Sequence, residues 1–308
     1  MIKAENIVKT YEKKSIVALN DVSFNVNKGE IFGFVGPDGA GKTSLFRIIT
    51  TMLLPDSGEM SVMGFNVKKE YSKIRTRIGY MPGRFSLYPD LSVEENLTFF
   101  ASIFDTTITE NYHLIKDIYS QIEPFKNRKA GALSGGMKQK LALSCALIHK
   151  PELLILDEPT TGVDAVSRKE FWQMLRNLKD EGITIVVSTP YMDEASLCDR
   201  IALIQKGEIL AVETPENIVG IFKKQLFGIR TDNIYLLMKD LNAFPDTDSV
   251  YPFGQYVHYV NKNKSLSKEE LLNYLKSKEH QSIEIKEIQA NIEDCFMDLM
   301  RNTERTGL

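Results

Sequence analysis

A glycine-rich segment that ends in a lysine and a threonine could bind phosphate. It lies between the apolar run Ile31–Val35, which predicts a buried strand, and the helical pattern Ser44–Ile49. Strand, loop and helix in this order are typical of a P-loop, where glycines let backbone N–H groups surround an anion at a helix N-terminus. The residues expected to contact a nucleotide are Gly36, Asp38, Gly39, Ala40, Gly41, Lys42, Thr43 and Ser44.

Two carboxylates follow a second apolar run, Leu153–Leu156, which also predicts a buried strand. Asp157, at the tip of that strand, is expected to bind Mg²⁺ together with Thr43. Glu158 could polarise the water that attacks the γ-phosphate, while Lys42 reaches the β- and γ-phosphates. An acidic turn without a catalytic role is the alternative, and the P-loop elsewhere in the sequence argues against it.

A second helix N-terminus carries the pattern of an anion site. Ser134, Gly135 and Gly136 precede a helical pattern that extends to His149. Since one phosphate cannot readily use two separate helix N-termini of one fold, this second end is expected to face a nucleotide held by another subunit.

Composition limits the classes of protein to which the chain could belong. Its 308 residues are 43% hydrophobic and 26% charged, with a net charge of −3. Proteins that bind nucleic acid normally have a basic face, and this charge balance does not indicate one, so no nucleic-acid partner is expected. The first residues predict no signal peptide, and because no apolar run approaches the roughly 20 residues of a membrane helix, no membrane span is expected. Three widely spaced cysteines are expected to be reduced, buried thiols: Cys145, Cys198 and Cys295.

The elements around these motifs predict an α/β fold in two domains, residues 1–220 and 221–308. Alternating patterns in residues 1–30 predict antiparallel strands, and residues 90–150 have helical periodicity. Ser92 with Glu95, and Ser267 with Glu270, have the spacing of capping boxes. Beyond residue 221 the predicted order is β-α-β-β-α-β with one extra helix, which favours a small α+β domain of ferredoxin-like type.

Together these motifs resemble the ATP-binding subunit of ABC transporters over residues 1 to about 215. The P-loop, the signature at 133–137 and the strand with carboxylates at 153–158 match in order and spacing, and 159–164 resembles the D-loop. The residues at 36–41, 162–168 and 291–300 resemble those of a bacterial branch of the family that exports drugs and ions. The resemblance implies a P-loop NTPase fold with an antiparallel β subdomain and a helical subdomain, and Tyr11 stacked on adenine.

The same resemblance implies partners and a location. ATP with Mg²⁺ would lie between the P-loop of one subunit and the signature of a second ATP-binding subunit, identical or different. Closure of that dimer would drive a separate integral-membrane permease. The chain would then be cytoplasmic and peripheral on the inner face of the membrane. Within this family the segment Phe85–Ser92 meets a coupling helix of the permease, and its four apolar side chains favour a contact surface.

Two positions depart from the family pattern. Gly83 stands where a glutamine usually contacts Mg²⁺ and the attacking water, and Pro190 stands where a histidine usually contacts the γ-phosphate. Our hypothesis is that this site binds ATP but hydrolyses it slowly, while the intact signature serves a competent site on a different subunit. The alternative is that a water or a neighbouring group substitutes. Two other functions stay open: a soluble ABC protein acting on nucleic acid or ribosomes, and a regulatory module that does not hydrolyse ATP.

Overall fold

The computed structural model describes residues 1–12, 15–84, 86–262 and 266–306, with side chains up to residue 301. The chain forms two compact units, Met1–Pro215 and Glu216–Leu308. The strands of the first unit are β1 (Ile2–Tyr11), β2 (Ile16–Val26), β3 (Ile31–Val35), β4 (Ser57–Val62), β5 (Phe65–Asn66), β6 (Ile78–Met81), β7 (Leu153–Asp157), β8 (Thr184–Thr189), β9 (Arg200–Gln205) and β10 (Glu208–Glu213). Its helices are α1 (Lys42–Ile49), α2 (Tyr71–Arg75), α3 (Val93–Ile103), α4 (Ile108–Tyr119), α5 (Gly135–Leu147) and α6 (Ala165–Asp180).

The central sheet of the first unit has the order β10-β9-β3-β8-β7-β6. Its strands are parallel except β10, which forms a hairpin with β9. Every residue of β3, β7 and β8 is buried, which explains why these strands are continuous apolar runs rather than alternating ones. The P-loop and the two carboxylates therefore follow strands of a single parallel sheet.

An antiparallel sheet of order β2-β1-β4-β5 accompanies the central sheet. The two sheets share a core in which aromatic rings meet: Phe34 contacts Phe24 edge to face at 4.9 Å and Phe46 at 5.8 Å between centroids. Phe46 belongs to α1, so this core also anchors the helix that follows the P-loop. The predicted antiparallel β subdomain is confirmed.

Helices α3, α4 and α5 form the predicted helical part of the first unit. α3 begins with the expected capping box of Ser92 and Glu95, and α4 has a second one, Thr107 with Glu110. In each box two of the backbone N–H groups that a helix start leaves unpaired gain side-chain partners.

The second unit is a small α+β domain. The helix α7 (Pro215–Ile221) begins at the last residue of the first unit. The other elements are β11 (Leu226–Arg230), α8 (Ile234–Asn242), β12 (Thr247–Phe253), β13 (Tyr256–Asn261), α9 (Lys268–Ser277), β14 (Glu284–Glu287) and α10 (Ile292–Thr306). The antiparallel order β12-β13-β11-β14 interleaves two β-α-β halves, as the ferredoxin-like prediction requires.

Two expectations from composition concern the whole chain. Within residues 1–12, 15–84, 86–262 and 266–306, no helix is both long and apolar enough to cross a bilayer. The three cysteines are free and buried. Burial raises the pKa of the Cys145 and Cys198 thiols, which keeps them protonated and unreactive.

Candidate functional site

Strand register brings the P-loop and the carboxylates to the same edge of the central sheet. β8 lies between β3 and β7, and all three run parallel. Val35 pairs with Thr189, and Asp157 pairs with Ser188. Because parallel strands end at a common edge, the segment after Val35 and the segment after Asp157 start side by side. The edge is therefore a crevice of the type in which α/β sheets bind ligands.

The backbone of the P-loop requires its glycines. A Cβ on Gly36 would lie 2.1 Å from the carbonyl oxygen of Ile204, and a Cβ on Gly41 would lie 2.4 Å from that of Ala18. Gly41 also has φ +106°, which favours glycine, and it precedes α1 without a side-chain cap. The N–H groups at the start of α1 thus have no side-chain acceptor at the cap, an arrangement that fits a phosphate chain.

Lys42 lies between the P-loop backbone and Glu158. Its side chain is 3% exposed, and its ammonium group donates to the carbonyl oxygens of Gly36 at 2.8 Å and Pro37 at 3.0 Å. The same nitrogen is 3.2 Å from Oε1 of Glu158. The structure therefore brings together the lysine and the carboxylate that the sequence predicts to act on one phosphate.

Asp157 is held by a residue that the sequence analysis did not identify. The hydroxyl of Ser188 donates to Oδ1 of Asp157 at 2.6 Å, and the N–H of Glu158 donates to Oγ of Ser188 at 2.9 Å. Asp157 is 2% exposed. Burial, and next the charge of Asp157, raise the pKa of Tyr80 to about 12. A buried carboxylate and the hydroxyl of Thr43 are oxygen donors of the kind that Mg²⁺ prefers, so the residues present fit that ion.

Tyr11, the expected adenine contact, lies beside the start of α1. Its hydroxyl is 3.1 Å from Oγ of Ser44, the third residue of that helix. The ring is half-buried. The geometry places Tyr11 next to the P-loop, where a stacking role would require it.

The signature residues contact the segment that follows Glu158. Ser134 caps α5 by accepting from the N–H of Met137 at 3.4 Å. A Cβ on Gly136 would lie 2.8 Å from Oγ of Ser167, and one on Gly135 would lie 3.7 Å from the carbonyl oxygen of Gly162. The two glycines therefore allow α5 to approach the loop and the first turn of α6.

Both positions that depart from the family pattern lie at the same site. A Cβ on Gly83 would be 3.1 Å from the carbonyl oxygen of Asp157 and 3.8 Å from Cβ of Glu158. A cavity of about 160 Å³ is lined by Gly83, Glu158 and Gly135 among others. Pro190 directly follows the end of β8, and its ring has no hydrogen-bonding group. A side chain at position 83 would therefore begin against the backbone of Asp157 and near Cβ of Glu158.

A buried carboxylate nearby also escaped the sequence analysis. Glu194 is 1% exposed and accepts hydrogen bonds from the hydroxyls of Thr160 and Thr189. Its place four residues after Pro190, in a polar stretch, gave no indication of burial. An acidic residue in a short helical turn is ordinarily solvated, and only the tertiary structure shows otherwise.

The segment after Gly83 differs from its prediction in one respect. Leu87 is 6% exposed and lines an apolar groove of about 440 Å³, so it is not a surface residue. Tyr88 is 47% exposed and packs edge to face on Phe99 at 4.9 Å. Phe85 lies outside the described residues. The groove is also lined by Tyr80, Met81, Phe100, Phe104 and His149. Leu87 turns inward because the apolar groove wall offers it more burial than solvent does.

Comparison with known proteins agrees with this geometry. The family model described as "ABC transporter" matches residues 19–161. The probable multidrug ABC transporter ATP-binding protein YbhF of Escherichia coli is 38% identical over 221 residues, or 71% of this chain and 38% of the relative. The chain thus spans well under half of that protein.

Other relatives are covered more fully. The linearmycin resistance ATP-binding protein LnrL of Bacillus subtilis is 39% identical over 71% of this chain and 70% of the relative. The Nod factor export ATP-binding protein I of Neorhizobium galegae is 33% identical over 97% of this chain and 84% of the relative. The last match includes the second unit.

Solved structures have the same fold as the first unit. The dimeric ATP-binding cassette MJ0796 in a post-hydrolysis state, bound to ADP and Pi, has a TM-score of 0.63 at 29% identity, covering 70% of this chain and 98% of that one. The cbiO1 subunit from Clostridium perfringens, part of the ABC transporter complex cbiONQ, has a TM-score of 0.64 at 27% identity, covering 71% and 90%.

Proposed function

The chain belongs to the ABC transporter family of ATP-binding proteins, and we propose that it couples ATP binding and hydrolysis to export through a separate membrane permease. The observation that carries the proposal is the approach of Lys42 to Glu158, beside the Asp157–Ser188 pair. This arrangement supplies a phosphate-binding cation, a candidate general base and a metal-binding carboxylate in one crevice. The names of three relatives, which refer to multidrug transport, linearmycin resistance and Nod factor export, support the export direction.

Each residue of the site has its own role in ATP binding or hydrolysis. The glycine-rich backbone and Lys42 bind and orient the phosphates, and Tyr11 stacks on adenine. Ser188 fixes Asp157, which together with Thr43 would hold Mg²⁺, and the ion would offset charge on the phosphates. Glu158 polarises water toward the γ-phosphate. Ser134, Gly135 and Gly136 face the nucleotide of a second ATP-binding subunit.

The permease partner fits the apolar groove of the first unit. Tyr88 is exposed at 47% and Phe99 at 38%, while Leu87 and Phe100 contribute to the groove wall. An amphipathic helix of a cytoplasmic permease loop could bury its apolar face there. Such docking would hold the chain at the inner face of the membrane.

The nucleotide site on the P-loop of this chain is proposed to hydrolyse ATP more slowly than the site on the second ATP-binding subunit. Gly83 and Pro190 remove two groups that would orient water and the γ-phosphate, and each lost transition-state contact costs roughly 10²–10³ in rate. Lys42, Asp157 and Glu158 remain, so ATP binding is retained. The signature is complete, so it serves a competent site on a different ATP-binding subunit.

The test compares the wild-type chain with the variant Gly83→Gln/Pro190→His. MgATP binding is expected to be similar in both, and steady-state turnover is expected to be slow in the wild type and at least tenfold faster in the variant. Lys42→Ala is the control that loses binding. Unassisted wild-type turnover in the ordinary range of about 1–10³ s⁻¹ would contradict a slow site. No hydrolysis in either protein, with binding retained, would favour a regulatory module.

A further inference from the structure

Glu194 joins two loops that border the crevice. Its Oε1 accepts from the hydroxyl of Thr160 at 2.7 Å, and its Oε2 accepts from the hydroxyl of Thr189 at 2.5 Å. Thr160 lies two residues after Glu158, whereas Thr189 is the last residue of β8. All three side chains belong to residues that are at most 1% exposed. One carboxylate therefore ties the loop after the candidate base to the end of a central strand.

The surroundings of Glu194 compensate for the burial of its charge. Nε of Arg168, in the first turn of α6, lies 3.7 Å from Oε1 of Glu194. The guanidinium of Arg168 also lies over the ring of Tyr191, 4.5 Å from its centroid. The N–H of Tyr191 donates to Oγ1 of Thr189 at 3.0 Å. A buried carboxylate with two hydroxyl donors and a nearby cation is a rigid anchor rather than an unpaired charge.

Glu158 needs such an anchor because of its backbone. Its φ is +49°, a left-handed conformation that residues with a side chain rarely adopt. Strained conformations persist only where neighbouring contacts determine them. On its N-terminal side the N–H of Glu158 is held by Ser188. On its C-terminal side two side-chain contacts hold the chain: Nε2 of Gln139 donates to the carbonyl oxygen of Pro159, and the hydroxyl of Thr160 donates to Glu194.

We propose that Glu194 is a positioning residue for ATP hydrolysis, which acts through Thr160 to hold Glu158 at its place beside Lys42. Glu194 itself is 1% exposed, so its effect on hydrolysis would be indirect. The inference rests on the proposed role of Glu158 and goes beyond it, since it assigns a function to a residue outside the crevice. Loss of the Thr160 hydroxyl should loosen the loop at 158–163 and leave the phosphate-binding backbone unchanged.

The test uses Thr160→Val, which removes the hydroxyl at nearly constant shape, with Thr160→Ser as the matched control that keeps it. In single-turnover assays of the full chain with labelled MgATP, the valine variant is expected to hydrolyse about tenfold more slowly, with nucleotide affinity within twofold of wild type. The serine variant should stay near the wild-type rate. The single-turnover rate should fall less in Glu194→Gln than in Glu194→Ala, because the glutamine keeps two hydrogen-bonding positions.

Hydrogen exchange of residues 158–163 supplies a second measurement that needs no turnover. Faster exchange is expected in Thr160→Val and not in Thr160→Ser. Equal exchange in all three proteins, or equal rates in valine and wild-type chains, would overturn the inference. A loss of affinity that matches the loss of rate would indicate a merely structural effect and would also overturn it. A wild-type chain that binds ATP without hydrolysing it would instead contradict the role proposed for Glu158.

Discussion

The ammonium group of Lys42 lies 3.2 Å from the carboxylate of Glu158, although the two residues follow different strands of the central sheet, β3 and β7. Lys42 also donates to two carbonyl oxygens of the P-loop that precedes it. Glu158 is partly exposed, with 22% of its side chain accessible, whereas Lys42 is almost fully buried. The carboxylate is thus the member of the pair that solvent can reach, as a group that activates water must be.

Glu158→Gln tests this assignment with a side chain of the same size. The amide cannot act as a base, so single-turnover hydrolysis is expected to fall by about 10²–10⁴-fold. MgATP affinity should stay within a few-fold of wild type, because the amide leaves Lys42 free to bind phosphate. Equilibrium binding and hydrolysis of labelled ATP check both points. A glutamine variant that hydrolyses at the wild-type rate would remove Glu158 from the mechanism.

Two substitutions of Tyr11 distinguish the contribution of ring stacking to MgATP affinity from that of the hydroxyl contact. Its hydroxyl is 3.1 Å from Oγ of Ser44, and its ring is the proposed adenine platform. Tyr11→Phe keeps the ring and should change MgATP affinity less than threefold. Tyr11→Ala removes the stacking, which is worth about 1–3 kcal/mol per base, and should weaken affinity about tenfold or more. If phenylalanine and alanine weaken binding equally, the contact with Ser44 rather than stacking is what matters.

Local patterns in the sequence predicted most helices and strands. They did not predict which side chains of distant segments contact each other. The capping box joins two residues that are three positions apart, Ser92 and Glu95, so sequence spacing suffices to find it. The contact of Ser188 with Asp157 depends on the register of two parallel strands, which no local pattern specifies. Glu194 is harder still, because its partners Thr160 and Thr189 lie in separate segments that only folding brings together.

Substitutions of Leu87 and Tyr88 are expected to have different effects, although both residues belong to the segment expected to contact the permease. Leu87→Asp would bury a charge in an apolar wall, so it should destabilise the chain by several kcal/mol and reduce the yield of folded protein. Tyr88→Asp changes an exposed side chain and should leave folding and MgATP binding intact. It should nevertheless reduce co-purification with a permease that the chain binds through this groove.

Tyr235→Asp is the matched control for Tyr88, since Tyr235 is an exposed tyrosine of the second unit, 82% accessible. Its co-purification with the permease is expected to equal that of wild type. Circular dichroism and nucleotide binding establish that both aspartate variants are folded. Undiminished co-purification of the Tyr88 variant would argue against docking at this groove.

The second unit has a buried polar cluster centred on Asp294, which is 1% exposed. Its carboxylate accepts from Nδ1 of His258 at 2.6 Å, from the hydroxyl of Tyr251 and from the N–H of Asn291 at 2.7 Å. Burial alone would raise the pKa of Asp294, but the hydrogen bonds from His258, Asn291 and Tyr251 outweigh it and hold that pKa below its usual value. The cluster therefore fixes the start of α10 to β12 and β13.

The lowered pKa of Asp294 gives the stability of this unit a defined pH dependence. A group whose pKa is depressed on folding contributes stability above its unfolded pKa of about 3.9, and loses that contribution as the pH falls through the native pKa. Asp294→Ala leaves two buried donors without their acceptor and should cost about 2–4 kcal/mol near neutral pH. Below pH 4 the difference from wild type should shrink. Calorimetry of the full chain at pH 7 and at several acid pH values measures this, with Asp232→Ala, at an exposed aspartate of the same unit, as the control. A difference between Asp294→Ala and wild type that stays constant into acid would show that packing, rather than the charge of Asp294, stabilises α10.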